Sequence, residues 1–259
     1  EEAAAAKAEE EAAAAKAEVP TPSAPIYLTA NKWEGETLRQ YKILKHLGTG
    51  SQGDVFLAKH NNTGARVALK ILNERTCKEP KRVARFFELL EKASGLEHPG
   101  LITIHETVHE LDAPSFYTMD ALNGAPLSSY RPQQMDICLE IGSQLAKAIA
   151  KAHEHKILHG KLNMENVYLL ANAKGKRRVS VLDFGAHALQ SETSDLTIHD
   201  DMHSLGEILE QLFSHFDDKP EELNRVIEIC LSSETQEKQK NADDIAKTLQ
   251  WISRQRPVS

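Results

Sequence analysis

The sequence lacks most features of a secreted protein, of a membrane-spanning protein and of a protein with a structural metal site. Its three cysteines, Cys77, Cys138 and Cys230, are too few and too far apart for a disulfide framework or a zinc site. No apolar run reaches the length of about 18 residues that a membrane span needs, so the sequence predicts none. Aromatic residues make up only 5% of the 259 residues, while 41% hydrophobic and 27% charged residues are typical of a globular protein.

The sequence also has no excess of positive charge. The net charge is −7, and residues 1–18 contribute −4 of it, with six glutamates against two lysines. The rest of the chain is nearly neutral, with 32 acidic and 29 basic residues, so it lacks the basic field of a nucleic-acid-binding protein. No signal peptide is recognisable, and the chain opens on Glu1. We therefore expect a cytoplasmic fragment, or the cytoplasmic part of a larger, membrane-attached protein.

The first 32 residues predict a spacer and a linker. Residues 1–9 and 10–18 both read EEAAAAKAE, a composition typical of a semi-rigid helix without an apolar stripe. A partner-binding coiled coil is the alternative for this repeat. Three prolines then interrupt the helix, so residues 19–32 are expected to be a linker.

The body of the chain divides into two parts of different character. Residues 33–122 contain strand patterns at 41–47, 54–58, 66–72, 101–109 and 115–121, with one helical pattern at 83–94. Residues 123–255 are mainly helical, with a long amphipathic helix from residue 136 and a hairpin at 167–182. This order predicts an α+β protein with two lobes.

Four short motifs follow one another along the chain, and their order is informative about the family. A glycine-rich turn lets backbone amides approach phosphate oxygens closely, and it is formed here by Gly48, Gly50, Gly53 and Val55. After it come Val67-Ala68-Leu69-Lys70, the loop from His159 to Val167, and Leu182-Asp183-Phe184-Gly185. Together these residues resemble the protein kinase family, most closely bacterial Ser/Thr kinase-like domains. Over residues 33–255 the resemblance implies a β-rich N-lobe with a hinge, and a helical C-lobe.

The resemblance also implies a nucleotide site between the lobes. Lys70 would hold the α- and β-phosphates of ATP, and Asn166 and Asp183 would bind Mg²⁺ through oxygen atoms. Tyr168 replaces a smaller residue beneath the purine, where it would either stack on the base or fill the pocket. The implied nucleotide-binding residues are Gly48, Gly50, Gly53, Val55, Ala68, Lys70, Met119, Asp120, Leu122 and Tyr168.

Three positions depart from the family pattern. Lys161 stands where the family has its catalytic aspartate, and an ammonium has no lone pair to accept a proton. Asn163 replaces the loop lysine that contacts the transferred phosphate. The glutamate that would pair with Lys70 falls on Leu89, and Glu88 and Glu91 point elsewhere because each helical step turns by about 100°.

The activation segment is predicted to be shortened. Only 15 residues separate Gly185 from Asp201, no Ala-Pro-Glu tripeptide occurs, and the arginine that would pair with its glutamate falls near Gln239. The interval contains four residues with a hydroxyl group: Ser191, Thr193, Ser194 and Thr197. They are either phosphorylation sites or ordinary polar loop residues.

From these residues we expect a pseudokinase rather than an enzyme. It would act as a signalling scaffold or allosteric binding module for a protein partner, either a signalling kinase or its own upstream domain. ATP and Mg²⁺ are the implied ligands, and the residues leave open whether they bind. One alternative is an active atypical transferase that moves a phosphoryl or nucleotidyl group from ATP. The other is a structural module without nucleotide binding.

Overall fold

The computed structural model describes residues 33–110, 113–171, 177–190, 196–232 and 241–256. The predicted spacer at 1–18 and linker at 19–32 lie outside the described residues, as does Gln239. The lobe boundaries at 33–122 and 123–255 remain predictions. Within the described ranges, no helix combines the length and apolar character needed to cross a membrane.

A six-stranded antiparallel sheet makes up most of the first part. Its strand order is β1-β2-β3-β4-β6-β5. The strands are β1 Thr37–Leu38, β2 Tyr41–Thr49, β3 Gly53–His60, β4 Arg66–Leu72, β5 Ile104–Val108 and β6 Phe116–Asp120. Five of them lie where strand patterns were predicted, and the two-residue β1 was missed.

Two helices lie between β4 and β5. The short α1 covers Glu74–Cys77, and α2 covers Pro80–Ser94 with its proline in the first turn, where the missing N–H costs nothing. The buried face of α2 has helical spacing and consists of Val83, Phe86, Phe87, Leu90 and Ala93. This face places α2 beside the sheet and beside the loop that follows β9.

The second part is mainly helical and is built around α3. This helix runs from Met135 to Glu154 and packs against α6, α4 and β9. The remaining elements are β7 Gly124–Pro126, β8 Val167–Ala171, β9 Arg177–Val181, α4 Ile198–Phe213, α5 Glu221–Leu231 and α6 Ala242–Gln255, with 3₁₀ turns at Leu127–Ser129 and Ala186–Leu189. The strands form a three-stranded sheet in the order β7-β8-β9.

One hydrophobic cluster joins the two parts. It extends from Ala68 and Phe86 in the first part to Leu145 and Leu205 in the second. A second, smaller cluster covers the other face of the six-stranded sheet. Buried polar residues are few, and several lie beside the cleft between the parts: Gln52, Lys70, His159 and Asp201. Because burying a polar group is costly unless it is hydrogen-bonded, these positions direct attention to the cleft.

Candidate functional site

A buried ion pair joins the two parts at the cleft. Lys70 lies on the central strand β4, and its Nζ is 2.7 Å from both carboxylate oxygens of Asp183. The two side chains are 7% and 23% exposed. Burial alone would raise the pKa of Asp183, but the Lys70 ammonium and the hydrogen bonds from Lys70 and Tyr117 outweigh it and hold the pKa below its ordinary value. Asp183 therefore carries its charge at neutral pH.

The loop that carries Asp183 is tightly constrained. Asp183 has a φ of 61° and Gly185 a φ of 75°, both in the left-handed region. A Cβ on Gly185 would lie 2.9 Å from the Cβ of Leu89, so glycine is also required by packing. Phe184 is buried beneath His159, with ring centroids 4.7 Å apart. Packing from both sides thus fixes the direction in which the Asp183 carboxylate points.

Tyr117 is a site residue that the sequence reasoning missed. It is 1% exposed on β6, and its hydroxyl donates a hydrogen bond of 3.0 Å to Oδ1 of Asp183. Burial, then the charge of Asp183 and this hydrogen bond, raise the pKa of Tyr117 well above its ordinary value, so the hydroxyl stays protonated. The available signal was period-two alternation, which places Tyr117 on the same face of β6 as Met119.

Helix α2 contributes no carboxylate to Lys70. Leu89 occupies the position implied for that glutamate and lies against Gly185, while Glu88 and Glu91 are exposed. Among the described residues, Asp183 is the ion-pair partner of Lys70.

The loop between α3 and β8 is folded by two asparagines. The Asn163 side-chain oxygen accepts hydrogen bonds from the backbone N–H groups of Glu165 and Asn166. The side-chain amides of Asn163 and Asn166 both donate to the carbonyl of Lys161, at 3.2 and 2.9 Å. Asn163 is therefore a structural residue of this loop. The Asn166 amide group donates through its nitrogen, which leaves its oxygen available as a ligand.

Gly160 shows why the loop is compact. Its φ is 70°, and a Cβ at this position would overlap the ring of His187. His187 Nδ1 in turn lies 3.2 Å from the carbonyl oxygen of His159. A side chain at position 160 is thus excluded by both backbone conformation and packing, which the sequence pattern did not reveal.

Asp201 supports the same loop from below. It lies in the first turn of α4 and is 1% exposed. Its carboxylate accepts backbone hydrogen bonds of 2.8 Å from both His159 and Gly160, and its Oδ2 is 2.9 Å from Nε2 of His153. Burial would raise the pKa of Asp201, but the hydrogen bonds from His153 and the loop lower it. The loop is therefore anchored to the helical core.

The glycine-rich turn connects β2 to β3. A Cβ on Gly53 would overlap the carbonyl of Ile71, so this glycine is required by the close approach of two strands. Gly48 and Gly50 have open space or ordinary contacts at the corresponding position. The buried Gln52 side chain donates a 2.8 Å hydrogen bond to the carbonyl of Ala186, beyond Asp183 in the chain. The turn is thereby attached to the opposite side of the cleft.

The residues implied for the purine lie on neighbouring strands of the sheet. Val55 pairs with Lys70, and Ala68 pairs with Met119, in the antiparallel ladders on the two sides of β4. Asp120 is the last residue of β6, and its N–H donates to the carbonyl of Thr103. Leu122 follows two positions later.

Tyr168 lies on β8, half-buried. Burial, followed by the charges of Asp183 and Glu165, raises its pKa. The role of Tyr168 towards a purine stays a prediction.

The short segment after Gly185 begins with the 3₁₀ turn Ala186–Leu189. Ser191, Thr193 and Ser194 lie outside the described residues. Thr197 caps α4, accepting a hydrogen bond from the N–H of His199 and donating one to Asp200. The Thr197 hydroxyl therefore stabilises a helix end.

Comparison with known proteins identifies relatives of this arrangement. Residues 41–205 match the family described as Protein kinase domain. The serine/threonine-protein kinase Pkn1 of Myxococcus xanthus is 29% identical over 164 residues, which are 62% of this chain and 24% of Pkn1. The serine/threonine-protein kinase PknF of Mycobacterium tuberculosis is 29% identical over 170 residues, which are 63% of this chain and 36% of PknF. The chain thus spans well under half the length of these relatives.

A solved structure shows the same fold. The kinase domain of Mycobacterium tuberculosis PknI superposes with a TM-score of 0.68 at 22% identity, covering 84% of this chain and 98% of that domain. The predicted α+β, two-lobed, kinase-like fold is confirmed.

The prediction that the chain is not an enzyme is wrong. It relied on Lys161 and Asn163 in the catalytic loop, on Leu89 in place of the paired glutamate, and on the shortened activation segment. The matching relatives are named protein kinases, and the structure brings Lys70 and Asp183 into the direct contact of a kinase-like active site. The physical reason is that phosphoryl transfer passes through a loose transition state, in which positioning and charge stabilisation contribute most of the catalysis. The absence of one proton acceptor is therefore a weak argument against activity.

Proposed function

Because the chain belongs to the protein kinase domain family, we propose that it is an atypical phosphotransferase, which moves the γ-phosphoryl group of ATP to a hydroxyl group of a protein. The observation that carries this proposal is the buried pair of Lys70 and Asp183, whose charges meet at the cleft between the two parts. A buried charge pair is costly to maintain, and replacing it by apolar residues is often neutral for stability. Its presence is thus better explained by chemistry than by folding.

The proposed ATP site uses both sides of the cleft. Lys70 would hold the phosphates from β4, while a Cβ at Gly48 would meet open space and one at Gly50 only an ordinary contact. The backbone of Asp120 and Leu122 would face the purine edge, with Val55, Ala68 and Met119 as apolar contacts. Tyr168 would lie beneath the base, where an aromatic ring can stack.

The oxygen atoms of Asp183 and Asn166 fit Mg²⁺, a hard cation that prefers oxygen ligands. Asn166 is oriented by its bond to Lys161, and Asp183 by its bonds to Lys70 and Tyr117. When bound, Mg²⁺ would neutralise the negative charge that develops on the phosphates.

Lys161 gives the proposed reaction its atypical character. Its ammonium would stabilise negative charge on the group in transfer rather than accept the proton of the attacking hydroxyl. The proton would then leave to solvent or to the phosphate itself. We expect slower transfer than in a kinase with an aspartate there, because general-base catalysis typically contributes about 10²–10⁴-fold.

The test is to incubate the purified chain and a Ser/Thr peptide library with Mg²⁺ and ATP labelled either at the α- or at the γ-phosphorus. The proposal predicts label from γ-labelled ATP only, on peptide or on the chain itself. Lys70→Met should abolish transfer, and Lys42→Met, on the exposed face of β2, is the matched control. Label from the α position would instead indicate nucleotidyl transfer, and no label from either would contradict the proposal.

A cytoplasmic location, a signalling role and the absence of nucleic-acid partners remain predictions from the sequence.

A further inference from the structure

Tyr117 connects β6 to both charges of the cleft. It lies opposite Lys70 in the β4–β6 ladder, and Lys70 Nζ is 5.9 Å from the centre of its ring. Phe86 of α2 also packs against the Tyr117 ring, with ring centroids 5.9 Å apart. The ring is therefore held between a helix and a strand, and its hydroxyl direction is fixed by packing rather than by its single polar contact.

The hydroxyl makes the two oxygens of Asp183 unequal. Oδ1 accepts hydrogen bonds from both Lys70 and Tyr117, whereas Oδ2 accepts one, from Lys70. Each carboxylate oxygen offers two lone pairs. Both lone pairs of Oδ1 thus accept hydrogen bonds from the protein, whereas Oδ2 retains one lone pair for a further ligand.

Asp183 needs such an anchor because its backbone is unusual. A φ of 61° is uncommon for a residue other than glycine and persists only where the surroundings enforce it. On the α2 side Leu89 offers no polar contact, and the next residues of the loop are held by apolar packing of Phe184. Tyr117 supplies a polar contact to Asp183 from the rigid sheet, in addition to Lys70.

We infer that Tyr117 is a positioning residue, which fixes the Asp183 carboxylate so that Oδ2 is available to Mg²⁺ when nucleotide binds. The inference rests on the proposed ATP site but not on phosphoryl transfer. Groups that orient a ligating carboxylate typically change metal affinity by about 10–100-fold when they are removed. Tyr117 would act through Asp183 and would not touch the reacting atoms.

The test compares two conservative variants. Tyr117→Phe removes one oxygen and keeps the ring. Tyr41→Phe removes a hydroxyl that contacts Thr118 in the same sheet, and Tyr41 is also buried, at 4% exposure. For each variant, binding of ATP would be measured by calorimetry over a range of Mg²⁺ concentrations, together with the thermal unfolding midpoint without ligand.

The expected result is a half-saturating Mg²⁺ concentration about tenfold higher in Tyr117→Phe, at the low end for loss of such an orienting contact. The metal-free ATP affinity should stay within about twofold, and Tyr41→Phe should match the unsubstituted chain in both. An unchanged or lower Mg²⁺ requirement in Tyr117→Phe would overturn the inference, as would equal changes in both variants. ATP binding that is indifferent to Mg²⁺ in the unsubstituted chain would also overturn it.

The two proposals can fail separately. If ATP binds with a Mg²⁺ dependence that Tyr117→Phe weakens, but no label is transferred from ATP, the positioning role stands and the proposed phosphotransferase activity does not. If label is transferred and Tyr117→Phe and Tyr41→Phe have the same Mg²⁺ requirement, the phosphotransferase activity stands and the positioning role does not.

Discussion

Two carboxylates, the buried Asp201 and the partly exposed Asp183, are held in different ways. Asp201 accepts hydrogen bonds from two backbone N–H groups and contacts His153, and its side chain is 2% exposed. Asp183 is held by the side chains of Lys70 and Tyr117, and its side chain is 23% exposed towards the cleft. Both have a pKa below the ordinary value, so charge alone does not distinguish them.

The difference lies in what each carboxylate has left to offer. The oxygens of Asp201 are taken up by the loop and α3, so its role is to hold the fold. Asp183 retains free lone-pair capacity at a surface that a ligand can reach. The comparison teaches that a perturbed pKa marks a functional candidate only when the group is also accessible.

The largest effect expected to sharpen this contrast comes from Asp201→Asn. The amide keeps one acceptor oxygen but places its NH2 group against the backbone N–H of either His159 or Gly160, which leaves a buried donor unpaired. We expect the free energy of unfolding to fall by about 3–5 kcal/mol, measured by urea denaturation. Asp200→Asn is the neighbouring control, since it weakens only an exposed helix cap, with a loss of about 1 kcal/mol or less. Equal losses in the two variants would contradict the assigned role of Asp201.

Asp183→Asn should affect the binding of Mg-ATP more than the stability of the fold. The asparagine oxygen can still accept from Lys70, but the buried ammonium loses its counter-charge, so we expect a stability loss of about 2–3 kcal/mol. The stabilisation of the chain by Mg-ATP, seen as a shift of the melting temperature, should disappear, because a ligand that binds the native state raises that temperature by mass action. A full ligand shift in this variant would show that Asp183 is structural, like Asp201.

The smallest effect concerns His159, which lies between the two carboxylates. Burial lowers its pKa, so the folded state keeps it neutral while the unfolded chain takes up a proton below about pH 6.5. Stability should therefore fall as the pH is lowered from about 7, with a slope of up to about 1.4 kcal/mol per pH unit for this group.

Replacing His159 by glutamine should reduce that slope. The control is His203→Gln, which changes an exposed histidine on α4. His187 and His98, whose pKa values are also lowered, first of all by burial, should maintain part of the slope in every variant. Identical pH profiles for His159→Gln and the unsubstituted chain would contradict the prediction.

Much of the fold was predictable because its signals are local. The nearly continuous apolar run of β4 and the apolar spacing of α2 lie within single elements, and the motifs around Lys70 and Asp183 follow in chain order. The structure places these two residues in contact, although 113 positions separate them.

The missed features depend on contacts between elements. Tyr117 lies 66 positions from Asp183, and its role becomes visible only when β6 and the loop after β9 are brought together. Gly160 and His187 form another such pair. The wrong expectation about catalysis had a different origin, since it judged the reaction by the residue types at a few motif positions. Sequence motifs report which groups are present, whereas their energetic weight depends on the transition state.

The hydrogen bond from Gln52 to the carbonyl of Ala186 would have a kinetic consequence for the proposed ATP site. If the turn has to lift before the proposed nucleotide enters or leaves, this bond would have to break each time. Breaking one such bond costs about 1 kcal/mol, which corresponds to roughly a fivefold slowing of both association and dissociation. Because the bond would form again whenever the turn closes, with or without ligand, it would lengthen the residence time of the nucleotide without altering its dissociation constant.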